Sequence, residues 1–276
     1  YIFMAFCVKY TNVNFFFFLV DVIYVVPAII FCHKVFQNNA SLAMMFYVGA
    51  FSFFSYSVNG LRNGMAVGLI LLAYNVWGKK LNRKIIAAII AFIAVGIHKA
   101  IVLPAFCFLV ANYLTDTKKY IVFWFLSFIL SLIWGNSLSH LFLNLGLDDR
   151  LDKYLTIDNR GRACSFRWDF ILYSFIPILM AWIVVIKKRI VDKTYYHLIN
   201  TYILLNSFWI MVIRAAYSNR FAYLSWFLYP IVLAYPLLKI PIWADQSQKT
   251  KNIAILHVLF TFVMYIRFAI RYKVFS

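Results

Sequence analysis

"IIAAIIAFIAVGIHKAIVLPAFCFLVANY", residues 85–113, decides how this chain folds. Charge-capable groups occur in it only at His98 and Lys99. As one helix it would be roughly 43 Å long at 1.5 Å per residue, against a hydrocarbon core of about 30 Å. Either it crosses a bilayer once at strong tilt, or it breaks near His98 and returns. The flanking charges discriminate. If it crosses once, "GKKLNRK" at 78–84 and "KKR" at 187–189 face opposite sides. If it breaks, both lie on one side with "TDTKK" at 115–119. Positive loops mark the cytoplasmic side, so the broken form is the better reading. Each half is then short, about 20 Å, and His98 and Lys99 fall within or near the outer membrane boundary.

Composition agrees with a membrane chain. Of 276 residues, 64% are hydrophobic and 13% charged, whereas about 25% are charged in soluble domains. Apolar windows of about 17 residues or more recur along the whole length. They are continuous rather than alternating, which selects helices over a barrel. Many Tyr and Trp stand at run ends, as interfacial anchors do. Expected spans lie at about 15–32, 41–57, 61–77, 85–97, 99–113, 120–136, 169–186, 197–213, 221–238 and 252–270, after an interfacial stub at 1–13. The expected fold is all-α. It is a polytopic transmembrane helical bundle of about nine or ten spans, some short or re-entrant. One domain covers 1–276, with a larger external loop at 137–168. The chain starts at Tyr1 without a Met, so a further N-terminal piece is expected. There is no cleavable signal pattern. Cys7, Cys32, Cys107 and Cys164 form no CxxC pair and no disulfide framework.

The net charge of +18 is not a nucleic-acid footprint, because much of it sits in short basic loops. Its distribution is more telling. The loops assigned to the cytoplasm carry twelve Lys and two Arg, Arg83 and Arg189. The external side, with both termini, carries nine Arg and four Lys. Topology needs only positive charge, and Lys supplies it. Arginine adds a planar fork that grips phosphate or carboxylate. An arginine-rich external face therefore points to an anionic ligand.

Several clusters converge on that face. In "NGLRNGMAVG", residues 59–68, Asn59, Arg62 and Asn63 share a polar arc of about 100° on a helix. Gly60, Gly64 and Gly68 form a seam on roughly the opposite side that admits a close neighbour. The plainer alternative is a snorkelling arginine beside packing glycines. His98 has the right unperturbed pKa for a general base, and Lys99 can pair with phosphate. A hydrogen-bonded histidine at a helix break is the alternative there. The polar loop holds Asp158, Arg160, Arg162, Arg167 and Asp169, interleaved with aromatic Tyr154, Phe166 and Trp168. That mixture suits a glycan, although a solvated loop would also explain it. Arg214, Tyr217 and Arg220 reach the same boundary. A bend near Ser218-Asn219 would let both arginines face one cavity; otherwise they snorkel separately. Asp21 is an intramembrane carboxylate, functional by default or a neutraliser of an arginine. No HExxH, DxD, Walker loop or metal-ligand spacing occurs, so neither metal nor cofactor is expected.

Four stretches resemble the EpsG family, bacterial multipass proteins related to Wzy-type polysaccharide polymerases. They are "SVNGLRNGMAVGLILLAY" (57–74), "GIHKAIVLP" (96–104), "FRWDFILYSFIPI" (166–178) and "RAAYSNRFAYLSWFLYPIVL" (214–233). The family pattern puts an Arg followed by an amide before a small-residue helix, which Arg62 and Asn63 match. A His follows at the outer end of the next span, as His98 does. The pattern usually has a small polar residue after it, where this chain has Lys99. A late Arg near a Tyr also recurs, which fits Arg214 or Arg220 beside Tyr217. The likeness covers most of residues 15–240, and family members usually carry more N-terminal sequence.

The resemblance implies polymerisation of undecaprenyl-diphosphate-linked oligosaccharide units on the outer face of the bacterial cytoplasmic (inner) membrane, for exopolysaccharide, capsule or O-antigen. It implies a glycosyltransferase with Arg62, Arg214 and Arg220 on diphosphate, and with His98 or a loop Asp as the base that the acceptor hydroxyl needs. Asn63, Lys99, Tyr217 and the loop residues Asp158, Arg160, Arg162, Arg167 and Asp169 would contact substrate. Expected partners are the lipid-linked oligosaccharide, the bilayer, and a chain-length regulator or other polysaccharide-export proteins. Two other classes compete. A membrane acyltransferase acting on surface glycans would need a polar passage from the inner side, where the loops are short and lysine-rich. A lipid-linked oligosaccharide flippase would carry polar residues in both halves of the bilayer, whereas these gather toward one side.

Overall fold

A computed structural model describes residues 2–58, 60–143, 166–215 and 218–271. Among these every regular element is helical. In chain order they are α1 (Ile2–Tyr10), α2 (Val13–Phe36), α3 (Ala40–Val48), α4 (Phe51–Val58), α5 (Leu61–Val76) and α6 (Leu81–Ile97). There follow α7 (Val102–Tyr113), α8 (Thr117–Leu143), α9 (Trp168–Ala181), α10 (Lys193–Met211), α11 (Asn219–Trp226), α12 (Tyr229–Lys239) and α13 (Gln246–Arg271). Five stretches are long and apolar enough to cross a bilayer: Val13–Val48, Thr117–Gly135, Trp168–Lys187, Asn219–Lys239 and Gln246–Arg267. Leu61–Val76 and Lys99–Tyr113 are shorter apolar helices. The chain is a multipass helical membrane protein.

The deciding stretch is broken where charge interrupts it. α6 stops at Ile97, and His98 takes extended backbone with φ −144° and ψ 108°. Lys99–Ile101 make a 3₁₀ turn and α7 begins. Pro104 sits in the first turn of α7, where its missing N–H leaves no intrahelical bond unmade. Two expected spans prove to be divided. Residues 41–57 form α3 and α4, separated at Gly49-Ala50, and residues 221–238 form α11 and α12, separated at Phe227-Leu228. The segment expected as loop from 137 begins later: α8 continues to Leu143 past a non-helical Trp134 (φ −120°, ψ 19°).

The chain packs as two compact units, Tyr1–Ile101 with Leu256–Ser276, and Val102–Ile255. In the first, Asn12 caps α2 by accepting from the Phe15 N–H at 2.8 Å. α2 lies along α5, and the glycine seam explains how closely. A Cβ at Gly68 would fall against the Ile23 carbonyl and 2.9 Å from the Tyr24 Cα, both backbone. Gly64 instead faces Tyr56 of α4, whose carbonyl lies 2.9 Å from a notional Cβ, and Gly60 belongs to the turn before α5. The seam thus serves two neighbours rather than one. The later part of α13 packs here too: His257 Nε2 lies 3.0 Å from the Phe46 carbonyl, and the Tyr265 hydroxyl donates to Phe51 O at 2.7 Å.

In the second unit α10 is the central helix, almost wholly buried despite its amides and hydroxyls. Asp192 caps it, accepting from the Tyr195 N–H at 2.8 Å. Asn206 and Tyr202 find partners on neighbouring helices, whereas the Asn200 amide, the Tyr195 hydroxyl and Trp209 Nε1 are buried without a hydrogen-bond partner among the described residues. Trp124 Nε1 donates to Asn206 Oδ1 at 2.8 Å, and Asn206 Nδ2 donates to Ser225 Oγ at 3.0 Å. Trp226 Nε1 donates to Ser174 Oγ at 2.8 Å, and the Tyr202 hydroxyl to Ser174 O at 2.9 Å. Such bonds specify neighbours where lipid provides no hydrophobic difference between helix faces.

Gly68→Ala should lower thermal stability in nanodiscs by about 1–3 kcal/mol, because backbone must move to admit the methyl. Gly96→Ala, where a Cβ meets nothing within 4 Å, should leave stability equal or slightly raised. Equal melting temperatures for the two variants would contradict the close approach of α2.

Candidate functional site

Start from the ends of α5 and α6. A helix leaves its last carbonyls without intrahelical partners, and in an apolar surrounding each unmet group is costly. Arg62, the second residue of α5, places Nε 3.3 Å and Nη2 3.1 Å from the carbonyl of Ile97, the last residue of α6. Arg83, in the first turn of α6, places Nε 2.9 Å from the carbonyl of Val76, the last residue of α5. The antiparallel pair is therefore capped reciprocally. A cation in a helix's first turn opposes that helix's own dipole, but here it meets the negative end of its neighbour. That removes the objection to Arg62 at this position. It also shows that the arginine does more than snorkel.

A guanidinium has five N–H groups. Ile97 engages two of those on Arg62. The side chain is exposed, and among the described residues no carboxylate pairs with it. The residue after Ile97 is His98, so the arginine and the histidine belong to one helix end. His98 is half-buried and its Nδ1 accepts from the Ala100 N–H at 3.2 Å. Lys99 is exposed beside it. Asn63 departs from the expected polar arc: it is half-buried, and its Oδ1 is shielded without a hydrogen-bond donor. Arg62 is presented outward, and the Asn63 oxygen is not. Asp21 is exposed on α2 and makes no ion pair among the described residues, so neutralising an arginine is not its role there.

The second unit holds the other candidates. Arg167 and Asp169 face each other. Arg167 Nε and Nη2 donate to the two carboxylate oxygens at 2.9 and 2.7 Å. The Arg167 guanidinium also lies over the Phe170 ring, 3.5 Å from its centroid. Asp169 stands in the first turn of α9, where negative charge is favoured. The pair orders the entry to α9. Arg214 differs. It sits in the turn after α10, half-buried, with its guanidinium 5.5 Å from the Phe166 centroid. Its side chain lies across Gly135 of α8. A Cβ there would come within 2.7 Å of Arg214 Cδ and Nε. Among the described residues no carboxylate pairs with Arg214. Arg220 is exposed, one residue into α11. Phe166 packs on exposed Trp168, centroids 4.7 Å apart.

Asn59, Tyr154, Asp158, Arg160, Arg162 and Tyr217 lie outside the described residues. Two contributors carried no signal in the sequence. Gly135 is an isolated glycine in an apolar run, and Ile97 acts through its backbone. No group of three or more His, Cys or Asp side chains that could hold a metal occurs among the described residues.

Residues 1–275 match the model of the EpsG family, and the chain belongs to that family. The family is polysaccharide-polymerase-like, consistent with a part in polysaccharide biosynthesis. No curated protein and no solved structure matches the chain.

The Arg167–Asp169 pair should register as stability. A double-mutant cycle of Arg167→Met and Asp169→Asn, read by thermal unfolding in nanodiscs, is expected to give a coupling of about 1 kcal/mol. A coupling near zero would mean that the two groups are solvated separately and remain available to a ligand.

Proposed function

We propose that this EpsG-family chain joins undecaprenyl-diphosphate-linked oligosaccharide units into a polysaccharide at the outer face of the cytoplasmic membrane. The observation that carries the reading is the presentation of Arg62. It is anchored to the end of α6 by two N–H groups, is exposed, stands at the residue before His98, and has no carboxylate partner among the described residues. A leaving lipid diphosphate gains charge as its bond to the anomeric carbon breaks. Donors fixed in advance stabilise that charge without reorganising. Anchoring by Ile97 supplies the fixing, and the remaining N–H groups supply the donors. Exopolysaccharide, capsule and O-antigen are the product classes this chemistry makes.

In the second unit, Arg214 is the counterpart. Phe166 and Gly135 hold it, and neither neutralises it. Arg220 is a further anion contact, and Phe166 with Trp168 offers ring faces to sugars. Arg167 and Asp169, which satisfy each other, take the lesser role of shaping that surface. Tyr217, Asp158, Arg160 and Arg162 remain glycan contacts of this proposal. A chain-length regulator or export protein is a fitting partner for a polymerase.

Arg83 is a built-in control, because it caps a helix end just as Arg62 does. Arg62→Ala and Arg83→Ala should destabilise the protein by similar amounts, about 1–2 kcal/mol each. Only Arg62→Ala should stop chain growth in proteoliposomes supplied with lipid-linked units, leaving single units on the lipid. If both variants still made long chains at normal protein levels, Arg62 would be a cap and nothing more. Gly135→Ala displaces the Arg214 side chain without changing charge. It is expected to lower turnover about tenfold or more, approaching Arg214→Ala. Unchanged turnover would show that Arg214 takes no part in the reaction.

A further inference from the structure

The turn at His98 determines which ring nitrogen carries the proton. A backbone N–H can only donate. The Ala100 N–H points at His98 Nδ1 from 3.2 Å, so Nδ1 must offer its lone pair. In neutral imidazole the proton then resides on Nε2. The backbone holds this geometry from both sides. The His98 N–H donates to Ala94 O at 3.0 Å, and the Ile101 N–H donates to His98 O at 3.1 Å.

A histidine that works as a base through Nε2 has the reverse arrangement. Its Nδ1–H is donated to a carboxylate or carbonyl, which leaves the Nε2 lone pair facing the substrate. Here that tautomer would set the Nδ1 proton against the Ala100 N–H, donor to donor. The imidazolium meets the same conflict. The turn therefore selects a donor at Nε2 and opposes a base there.

We propose, resting on the polymerase reading, that His98 serves as a hydrogen-bond donor to the lipid diphosphate through Nε2–H, and that it is not the base. In the step this implies, the acceptor hydroxyl oxygen forms the new bond to the anomeric carbon. The bond from that carbon to the phosphate oxygen breaks, and its electron pair leaves with the diphosphate. The hydroxyl proton ends on the released diphosphate, since a phosphate with a second pKa of about 6 can accept it near neutrality. Nε2–H and the outward N–H groups of Arg62 steady the charge on the departing oxygens. The substrate carries its own proton acceptor, and the protein supplies donors.

Two measurements test this. The first is the nitrogen NMR spectrum of histidine-labelled protein in nanodiscs near neutral pH, with His98 assigned by its loss in His98→Asn. The expected result is a protonated Nε2 and an unprotonated Nδ1, with the Nε2 resonance moving when inorganic pyrophosphate is added. A protonated Nδ1, or an Nε2 resonance indifferent to pyrophosphate, overturns the proposal. This readout does not depend on polymer formation. If the wild-type protein makes no polymer while the tautomer is as expected, the polymerase reading fails and the tautomer assignment stands. The second compares variants in the proteoliposome assay. Gln places an N–H donor near the Nε2 position, whereas Asn reproduces only the acceptor toward Ala100. His98→Gln is expected to keep turnover within about tenfold of wild type, and His98→Asn to lose about a hundredfold or more. Equal loss in both variants, as removal of a base would produce, overturns the donor role.

Discussion

In the first unit, Arg62 and Arg83 each cap the helix that the other begins. The last carbonyls of α5 and α6 have no partners within their own helices. Each is met by an arginine from the opposite helix, so the two ends are tied in register. The break at His98 is accommodated by this tie. A helix can stop in the middle of an apolar run only if its terminal carbonyls are satisfied, and Arg62 provides that at Ile97. The tie also sets the orientation of a guanidinium whose outward edge remains available.

The same physics sorts the other cations. Lys34 donates to the Asn75 carbonyl, near the end of α5 that Arg83 caps. The Lys84 ammonium lies 5.7 Å from the Trp77 ring centroid. Lys249 pairs with Asp245 at 2.9 Å, and that contact holds the exposed Asp245 carboxyl below its usual range. Arg167 is closed by Asp169. Against these, Arg62 and Arg214 have no carboxylate among the described residues, and each is held by an uncharged support, a carbonyl or a ring and a glycine. Orientation without neutralisation is what an anion site requires. That combination makes these two the cations of the proposed site, Arg62 while it also caps α6.

Much of the helical order was legible. The break at His98, the separation of α5 from α6 and the start of α9 near Trp168 follow from charge placement and apolar run length, which the bilayer reads directly. The divisions at Gly49-Ala50 and Phe227-Leu228 were not legible. Apolar runs continue through them, so hydropathy does not mark where the helices part. At the candidate site, the sequence offers the candidate residues but not their partners. Arg167 and Arg214 look alike in sequence, yet one faces a carboxylate two residues on while the other lies across Gly135 of another helix. Asn63 was placed on the right helix turn, but its oxygen faces inward.

The sequence by itself determined that this is a multipass helical protein, that its long apolar stretch at 85–113 is broken at His98, and that arginines concentrate away from the lysine-rich loops. These are consequences of hydropathy and charge, which act residue by residue on partition into a membrane. Tertiary structure decided which arginines are already satisfied, which carbonyl Arg62 grips and which nitrogen of His98 faces the Ala100 N–H. Those outcomes turn on hydrogen-bond donors and acceptors brought within about 3 Å of each other from separate helices or across a turn, and no pattern along the chain encodes them.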